Sequence, residues 1–190
     1  GTNGKTTVTF LLEYLLEKLG KKVALFGTLI NRWPGYSETS NLTTDFADKL
    51  QPKLYAAKEA NAEFVIMEVS SHSIAQKRIS GCEFFASVFT NLSQDHLDYH
   101  KNMQSYFDTK MELFNAPYLD SDNGFSIINY DNEWGCKLLD KVNTKAIVTS
   151  LEENIKRFKN KKELFFITNK IYSGEGTSCV LHSPTENIQF

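Results

Sequence analysis

The sequence is short of cysteine, of net charge, of long apolar runs and of internal repetition, and each shortage removes a class of protein. Three cysteines, Cys82, Cys136 and Cys179, are scattered through 190 residues with no CxxC pairing. An odd, unpaired set argues against a disulfide framework or a zinc site, and reads as isolated thiols in a reducing compartment. The formal net charge is -2, so no nucleic-acid or anionic-membrane partner is expected. A phosphate ligand is still allowed, because backbone amides and one lysine can bind phosphate locally. No apolar run approaches a membrane span and no signal-peptide pattern opens the chain, which makes cytoplasmic the expected location.

What is present describes a globular domain. Hydrophobic residues make up 41% and charged residues 23%, enough for one sizeable core. Val8, Leu11, Leu12, Leu15 and Leu19 recur at helical spacing, and Gly20 supplies a stop. Val23 to Phe26 and Phe64 to Met67 read as buried strands, and Phe85 to Phe89 as a third. Asn31 to Asn41 is loop-like, with Pro34, Gly35 and several hydroxyl residues. Thr44 is a candidate cap for a short helix through Leu50, and Pro52 suits the first turn of another to Ala60. Met103 to Phe114 has helical periodicity. Phe125 to Asn129 then reads as a strand, Glu133 to Lys141 as a helix and Ala146 to Thr149 as a strand.

Apolar strands alternating with helices predict an α/β fold, a mostly parallel sheet flanked by helices. Beyond Leu164 the pattern becomes Phe165 to Ile167 and Cys179 to His182 around the turn-like residues 173–176, predicting a C-terminal antiparallel β hairpin. The basic stretch Lys156 to Lys162 reads as a solvated loop.

The opening residues carry the strongest chemical signal. Gly1-Thr2-Asn3-Gly4-Lys5-Thr6-Thr7 leads directly into the first helix. Glycines let the backbone turn so that successive N–H groups face one set of phosphate oxygens. The helix N-terminus adds partial positive charge. Lys5 is placed for the outer phosphates and the Thr6 hydroxyl for Mg²⁺. Because Gly1 begins inside this P-loop, the chain is expected to be a fragment that lacks the preceding strand.

Three further residues stand out. Glu68 ends the apolar run from Phe64, and beside a phosphate loop an acid at a strand end suits a Mg²⁺ ligand. Asn91 to His100 follows the third strand and is dense in polar groups. His96 is the better candidate there, while His72 and His100 read as satisfied polar residues. Lys110 falls on the apolar stripe of Met103, Tyr106, Phe107, Met111 and Phe114. Either its ammonium snorkels to water, or restricted solvation lowers its pKa and leaves an amine able to add CO₂ as a carbamate.

These segments, with Glu68-Val69-Ser70-Ser71-His72-Ser73, Gln76 to Gly81 and Tyr106 to Lys110, resemble the Mur ligases. Within that family the stretch from Glu68 to Gly81 is most similar to the type that extends UDP-N-acetylmuramoyl-L-alanyl-D-glutamate by the third amino acid of the peptidoglycan stem. The resemblance is dense over residues 1–114 and thin beyond 150. It implies that residues 1–190 are the central ATP-binding domain of a longer cytoplasmic and monomeric enzyme, without its N-terminal UDP-binding and C-terminal domains, and so inactive alone.

The resemblance also implies roles for particular residues. Lys5 and Thr6 would hold ATP and a first Mg²⁺. Glu68, His96 and Lys110, as its carbamate, would hold a second. Thr43, Thr44, Ser70, Gln76 and Arg78 match positions that contact the nucleotide-sugar dipeptide. Leu42 stands where family members commonly carry Asn, which leaves that contact open. The implied reaction phosphorylates the D-glutamate γ-carboxylate with ATP. The amine of meso-diaminopimelate or L-lysine then attacks the acyl phosphate. Alternatives are another Mur ligase, a folylpolyglutamate synthase, a P-loop NTPase that hydrolyses nucleotide without an amino-acid acceptor, or a nucleotide-binding module without activity.

Overall fold

The computed structural model describes residues 1–151, 163–174 and 176–189. The basic stretch Lys156 to Lys162, read above as a loop, and Glu175 of the turn lie outside the described residues. Two compact units emerge. One comprises residues 2–82 and 94–112, the other Gly1 with residues 83–93 and 113–190.

In the first unit, helix α1 (Lys5–Lys18) packs on strand β1 (Val23–Phe26), all four residues of which are buried. β1 is followed by β2 (Ile30–Trp33) and β3 (Tyr36–Thr39), and then by α2 (Ala47–Glu59) and β4 (Phe64–Met67). The strand order is β3-β2-β1-β4, with β4 parallel to β1 and the other pairings antiparallel.

The loop-like stretch after Asn31 is a hairpin. Pro34-Gly35 forms its turn, with Gly35 at φ 81°. The Trp33 ring stacks on Tyr36 and on Phe26, while the hydroxyl residues lie on an edge strand. Thr44 caps no helix, because its hydroxyl is used elsewhere. α2 begins at Ala47 without a side-chain cap and runs unbroken through Pro52. Burial of Leu50 and Ala57 on either side of the proline carries it across.

β4 is not wholly buried. Phe64 and Val65 are exposed, because within the described residues of its sheet β4 pairs only with β1. The leucines at helical spacing do lie on a helix, α1, or at its C-cap. Leu11, Leu12, Leu15 and Leu19 are exposed, and the buried side chains are Thr9 and Glu13. The cause is Arg32 on β2, whose guanidinium donates to both carboxylate oxygens of Glu13. Phe10 and Leu16 flank that contact against Val23, Leu25 and Ile66.

After β4 come three short helices, α3 (Ser71–Ala75), α4 (Leu97–His100) and α5 (Met103–Met111), with α5 packed against both others. The α5 N-terminus is capped by Asn102, whose side chain accepts from the Ser105 N–H at 2.9 Å.

The second unit is one sheet in the order β10-β9-β8-β7-β6-β5. Its strands are β5 (Ala86–Phe89), β6 (Phe125–Asn129), β7 (Lys145–Leu151), β8 (Leu164–Ser173), β9 (Gly176–His182) and β10 (Asn187–Gln189). β5 to β8 run parallel, and β9 and β10 are antiparallel additions. The expected hairpin is thus present as β8-β9. It continues the parallel sheet, and a third strand extends it. Phe85, read as part of the third strand, precedes β5 and is exposed. Helix α6 (Glu133–Leu139) packs on β6, and Gly135 permits the approach, since a Cβ there would lie 1.9 Å from the Asn129 carbonyl oxygen. Among the described residues no helix is long and apolar enough to cross a membrane.

Removing Arg32 would leave Glu13 as an uncompensated buried carboxylate. Arg32→Met is expected to destabilise the first unit by about 2–4 kcal/mol, read as a lowered urea midpoint. The double variant Arg32→Met/Glu13→Met is expected to recover much of that loss.

Candidate active site

Gly4 adopts the left-handed conformation, φ 82°, at the start of α1. This conformation costs glycine little and brings the preceding residues back over the helix end. Lys5 Nζ donates to the Thr2 carbonyl oxygen at 2.9 Å. Burial pushes the Lys5 pKa down, opposed by the negative charges of Glu68 and Asp95. Asn3 and Thr7 are exposed. Gly1 belongs to the other unit, where a Cβ would collide with Thr90 Oγ1 at 2.0 Å.

Glu68 lies just beyond the end of β4 and is only 1% exposed, so it is not a surface acid. Its carboxylate accepts from the Thr6 hydroxyl at 2.8 Å on Oε2 and from the Thr28 N–H at 2.9 Å on Oε1. The Thr28 hydroxyl also faces Oε2, at 3.1 Å. Gly27 makes this possible, because a Cβ there would lie 2.4 Å from Glu68 Oε1. Gly27 and Thr28 were missed in the sequence. A glycine directly after the buried strand β1 was the available signal.

A threonine that gives its proton to Glu68 turns its lone pairs outward. Thr6 and Glu68 therefore form an oxygen pair suited to a hard cation, the usual form of a Mg²⁺ site completed by ligand phosphates. No cage of three or more His, Cys, Asp or Glu side chains occurs among the described residues.

His96 adopts a left-handed conformation, φ 53°, before α4, and its Nε2 lies 3.5 Å from Asp95 Oδ2. Its ring meets His72 edge-on at 4.8 Å and Tyr106 at 6.1 Å. Lys110 is 5% exposed, so its amine does not snorkel to water. Nζ lies 4.6 Å from the centre of the Tyr106 ring. Burial, and then the positive charge of Lys5, bring its pKa from 10.5 down to about 7, against an upward pull from Asp95.

Asp95 and Tyr106 are the other residues that sequence reasoning did not single out. Asp95 is the negative charge felt by both lysines. Tyr106 reaches Thr2 Oγ1 with its hydroxyl at 3.3 Å and stacks on His100 at 4.9 Å. Tyr106 reads as core because its ring is apolar; only the fold reveals what its hydroxyl touches. His100 is a buried, satisfied histidine, with Nε2 2.9 Å from Ser71 Oγ.

A second group gathers beside Glu68. The Thr44 hydroxyl donates to the Glu68 carbonyl oxygen at 2.8 Å and accepts from the Ser70 N–H at 3.2 Å. Ser70 caps α3 by accepting from the Ser73 N–H. Arg78 donates to the Thr44 carbonyl oxygen at 3.0 Å and, through Nε and a terminal nitrogen, to Gln76 Oε1. Its guanidinium covers the Phe46 ring. Thr43 Oγ1 lies 3.1 Å from Thr28 Oγ1. Leu42 contributes its backbone, accepting from Ser40 Oγ, and its side chain is exposed. Thr44, Ser70, Gln76 and Arg78 thus form one linked set, and Thr43 joins Glu68 through Thr28.

The Mur ligase middle domain matches residues 1–190, the whole chain. The chain belongs to the Mur ligase family. Among its relatives, the UDP-N-acetylmuramoyl-L-alanyl-D-glutamate--2,6-diaminopimelate ligase of Prochlorococcus marinus subsp. pastoris is 58% identical over 189 residues, covering 100% of this chain and 37% of that protein. The ligase of the same name from Nostoc sp. is 42% identical over 190 residues, 100% of this chain and 36% of its own. A solved structure of a ligase of that name superposes with a TM-score of 0.83 at 29% identity, over 100% of this chain and 37% of that one. MurF from Acinetobacter baumannii, with a TM-score of 0.70 at 15% identity over 100% of this chain and 36% of that one, shares the Mur ligase fold. This middle domain therefore spans little more than a third of the curated relatives that it matches.

The folded-state pKa of Lys110 lies below its unfolded value, so the unfolded chain binds more protons between pH about 7 and 10.5. Stability from this group is expected to rise with pH across that window, by on the order of a few kcal/mol. Urea midpoints measured from pH 7 to 10 should show the rise, and Lys110→Met should flatten it.

Proposed function

We propose that the protein containing this middle domain is an ATP-dependent amide ligase. It joins 2,6-diaminopimelate to the D-glutamate γ-carboxylate of UDP-N-acetylmuramoyl-L-alanyl-D-glutamate. The reading is carried by the buried amine of Lys110, close enough to Lys5 for the two charges to interact. A nucleotide hydrolase has no need of it. The names of the relatives support the substrate pair. Residues 1–190 act in this reading as one ATP-binding domain, supported by a family match that runs through both units. Its scattered free thiols suit the cytoplasm.

The residues then take the following parts. Lys5 and the amides of residues 2–7 hold the ATP phosphates. Thr6 and Glu68 offer oxygens to one Mg²⁺. His96 and Glu68, with Lys110, serve a second. Addition of CO₂ to the neutral Lys110 amine forms an N–C bond and releases one proton to solvent, leaving a carbamate oxygen as donor. Bound Mg²⁺ supplies charge compensation between the substrate carboxylate and the γ-phosphate.

The acceptor is held by Thr43, Thr44, Ser70, Gln76 and Arg78, with Leu42 contributing no side-chain amide. The γ-carboxylate oxygen attacks the γ-phosphorus as the bond to ADP breaks. The diaminopimelate amine then attacks the acyl carbon, phosphate departs and the amine proton passes to solvent. No enzyme nucleophile takes part. These residues contribute by positioning and charge.

The test is phosphate release by the full-length enzyme with ATP, Mg²⁺, the UDP-linked dipeptide and each candidate amino acid. Release should require both the dipeptide and diaminopimelate, and should fall roughly 10²-fold or more in Lys110→Ala. Release indifferent to the dipeptide would overturn the reading in favour of a hydrolase. Release with L-lysine alone would overturn the choice of amino acid.

A further inference from the structure

Thr28 stands between the two halves of this site. Its Oγ1 lies 3.1 Å from Glu68 Oε2 and 3.1 Å from Thr43 Oγ1. A hydroxyl carries one proton. Thr28 can therefore donate to the carboxylate or to Thr43, and not fully to both. When it donates to Glu68, the Thr43 proton must turn inward to Thr28 if that contact is to be kept.

The second observation concerns Glu68. Oε2 already receives Thr6 at 2.8 Å and Thr28 at 3.1 Å. Oε1 receives the Thr28 N–H and packs against Gly27, with no room for a Cβ. A cation shared with Thr6 must therefore approach on the Oε2 side and compete with a donor already there. The longer of the two contacts is the Thr28 hydroxyl.

We propose that Thr28 is a positioning residue whose hydroxyl couples cation and nucleotide occupancy at Glu68 to the acceptor-binding segment at Thr43. The inference deepens the function proposed above and rests on it. With Glu68 unoccupied, the Thr28 proton is held by the carboxylate and the Thr43 proton is drawn inward. With a cation on Oε2, the Thr28 proton turns to Thr43, which frees the Thr43 proton for an oxygen of the acceptor. Mg²⁺-nucleotide thereby tightens acceptor binding. The Thr28 backbone N–H bond to Oε1 holds the loop in both states.

The experiment is calorimetric titration of the full-length enzyme with UDP-N-acetylmuramoyl-L-alanyl-D-glutamate, with and without Mg²⁺ and the β,γ-methylene analogue of ATP. The readout is the ratio of the two acceptor dissociation constants. The wild type should show tightening by about fivefold, the worth of one hydrogen bond. Thr28→Val keeps the shape and the backbone N–H, and should bring the ratio to within twofold of unity. Thr28→Ser restores the hydroxyl and should restore the ratio. Thr28→Val removes one donor from the buried Glu68 carboxylate and is expected to lower the melting temperature by about a few degrees, which Thr28→Ser restores. The ratio is read within each folded protein and does not depend on that loss. A Thr28→Val ratio equal to the wild-type one overturns the inference alone, as does acceptor binding by the wild type without tightening. A wild type that binds nucleotide but no acceptor overturns the functional reading, and the inference with it.

Discussion

A carboxylate taken out of water must be met by hydrogen-bond donors, and Glu68 is the buried carboxylate around which this site is arranged. Its donors come from the first turn of α1 and from the residue two places beyond β1. Thr6 and Thr28 come from different elements, so satisfying this one group fixes the start of α1 against the strand end. The backbone of Glu68 extends the same constraint. Its carbonyl oxygen receives Thr44, and Thr44 in turn receives the Ser70 N–H. Side chain and main chain of one residue thus hold the proposed nucleotide end and the proposed acceptor end of the same unit.

Lys110 obeys the opposite logic. It has little access to water, a like charge nearby in Lys5 and an aromatic face beneath its amine. The neutral form is favoured because desolvation penalises the ammonium more than Asp95 rewards it. A buried lysine and a buried glutamate in one small unit thus stand in different surroundings. The glutamate carboxylate is met by three donors. The lysine is pressed to release its proton. The amine that results is a nucleophile as well as a base, which is the property that the proposed carbamate uses.

Much of this was legible in the residues. Gly4-Lys5-Thr6 announced a tight turn into a helix, and the structure places Gly4 in the left-handed conformation that only a glycine adopts cheaply. Periodicity put Lys110 on the apolar face of α5, and there it is buried. Less legible were features set by partners distant in the chain. The β2–β3 hairpin looked like a loop because its hydroxyl residues lie on an edge strand that few apolar side chains mark. The spacing of the α1 leucines marked a helix but not its buried face, which carries Thr9 and Glu13, the latter paired with Arg32.

The sequence by itself determined the elements whose cause is local: the glycine turn into α1, the strands β1 and β6, and a lysine in register with an apolar stripe. Local backbone preference and side-chain period act over a few residues, and they can be read from a few residues. Only the tertiary structure decided that Thr28 faces both Glu68 and Thr43, that Gly27 must lack a Cβ, and that Tyr106 lies beneath Lys110 while touching Thr2. Apart from Tyr106 and Lys110, neighbours on one helix face, those contacts join residues distant in the chain, and such partners are assigned by which groups burial forces together.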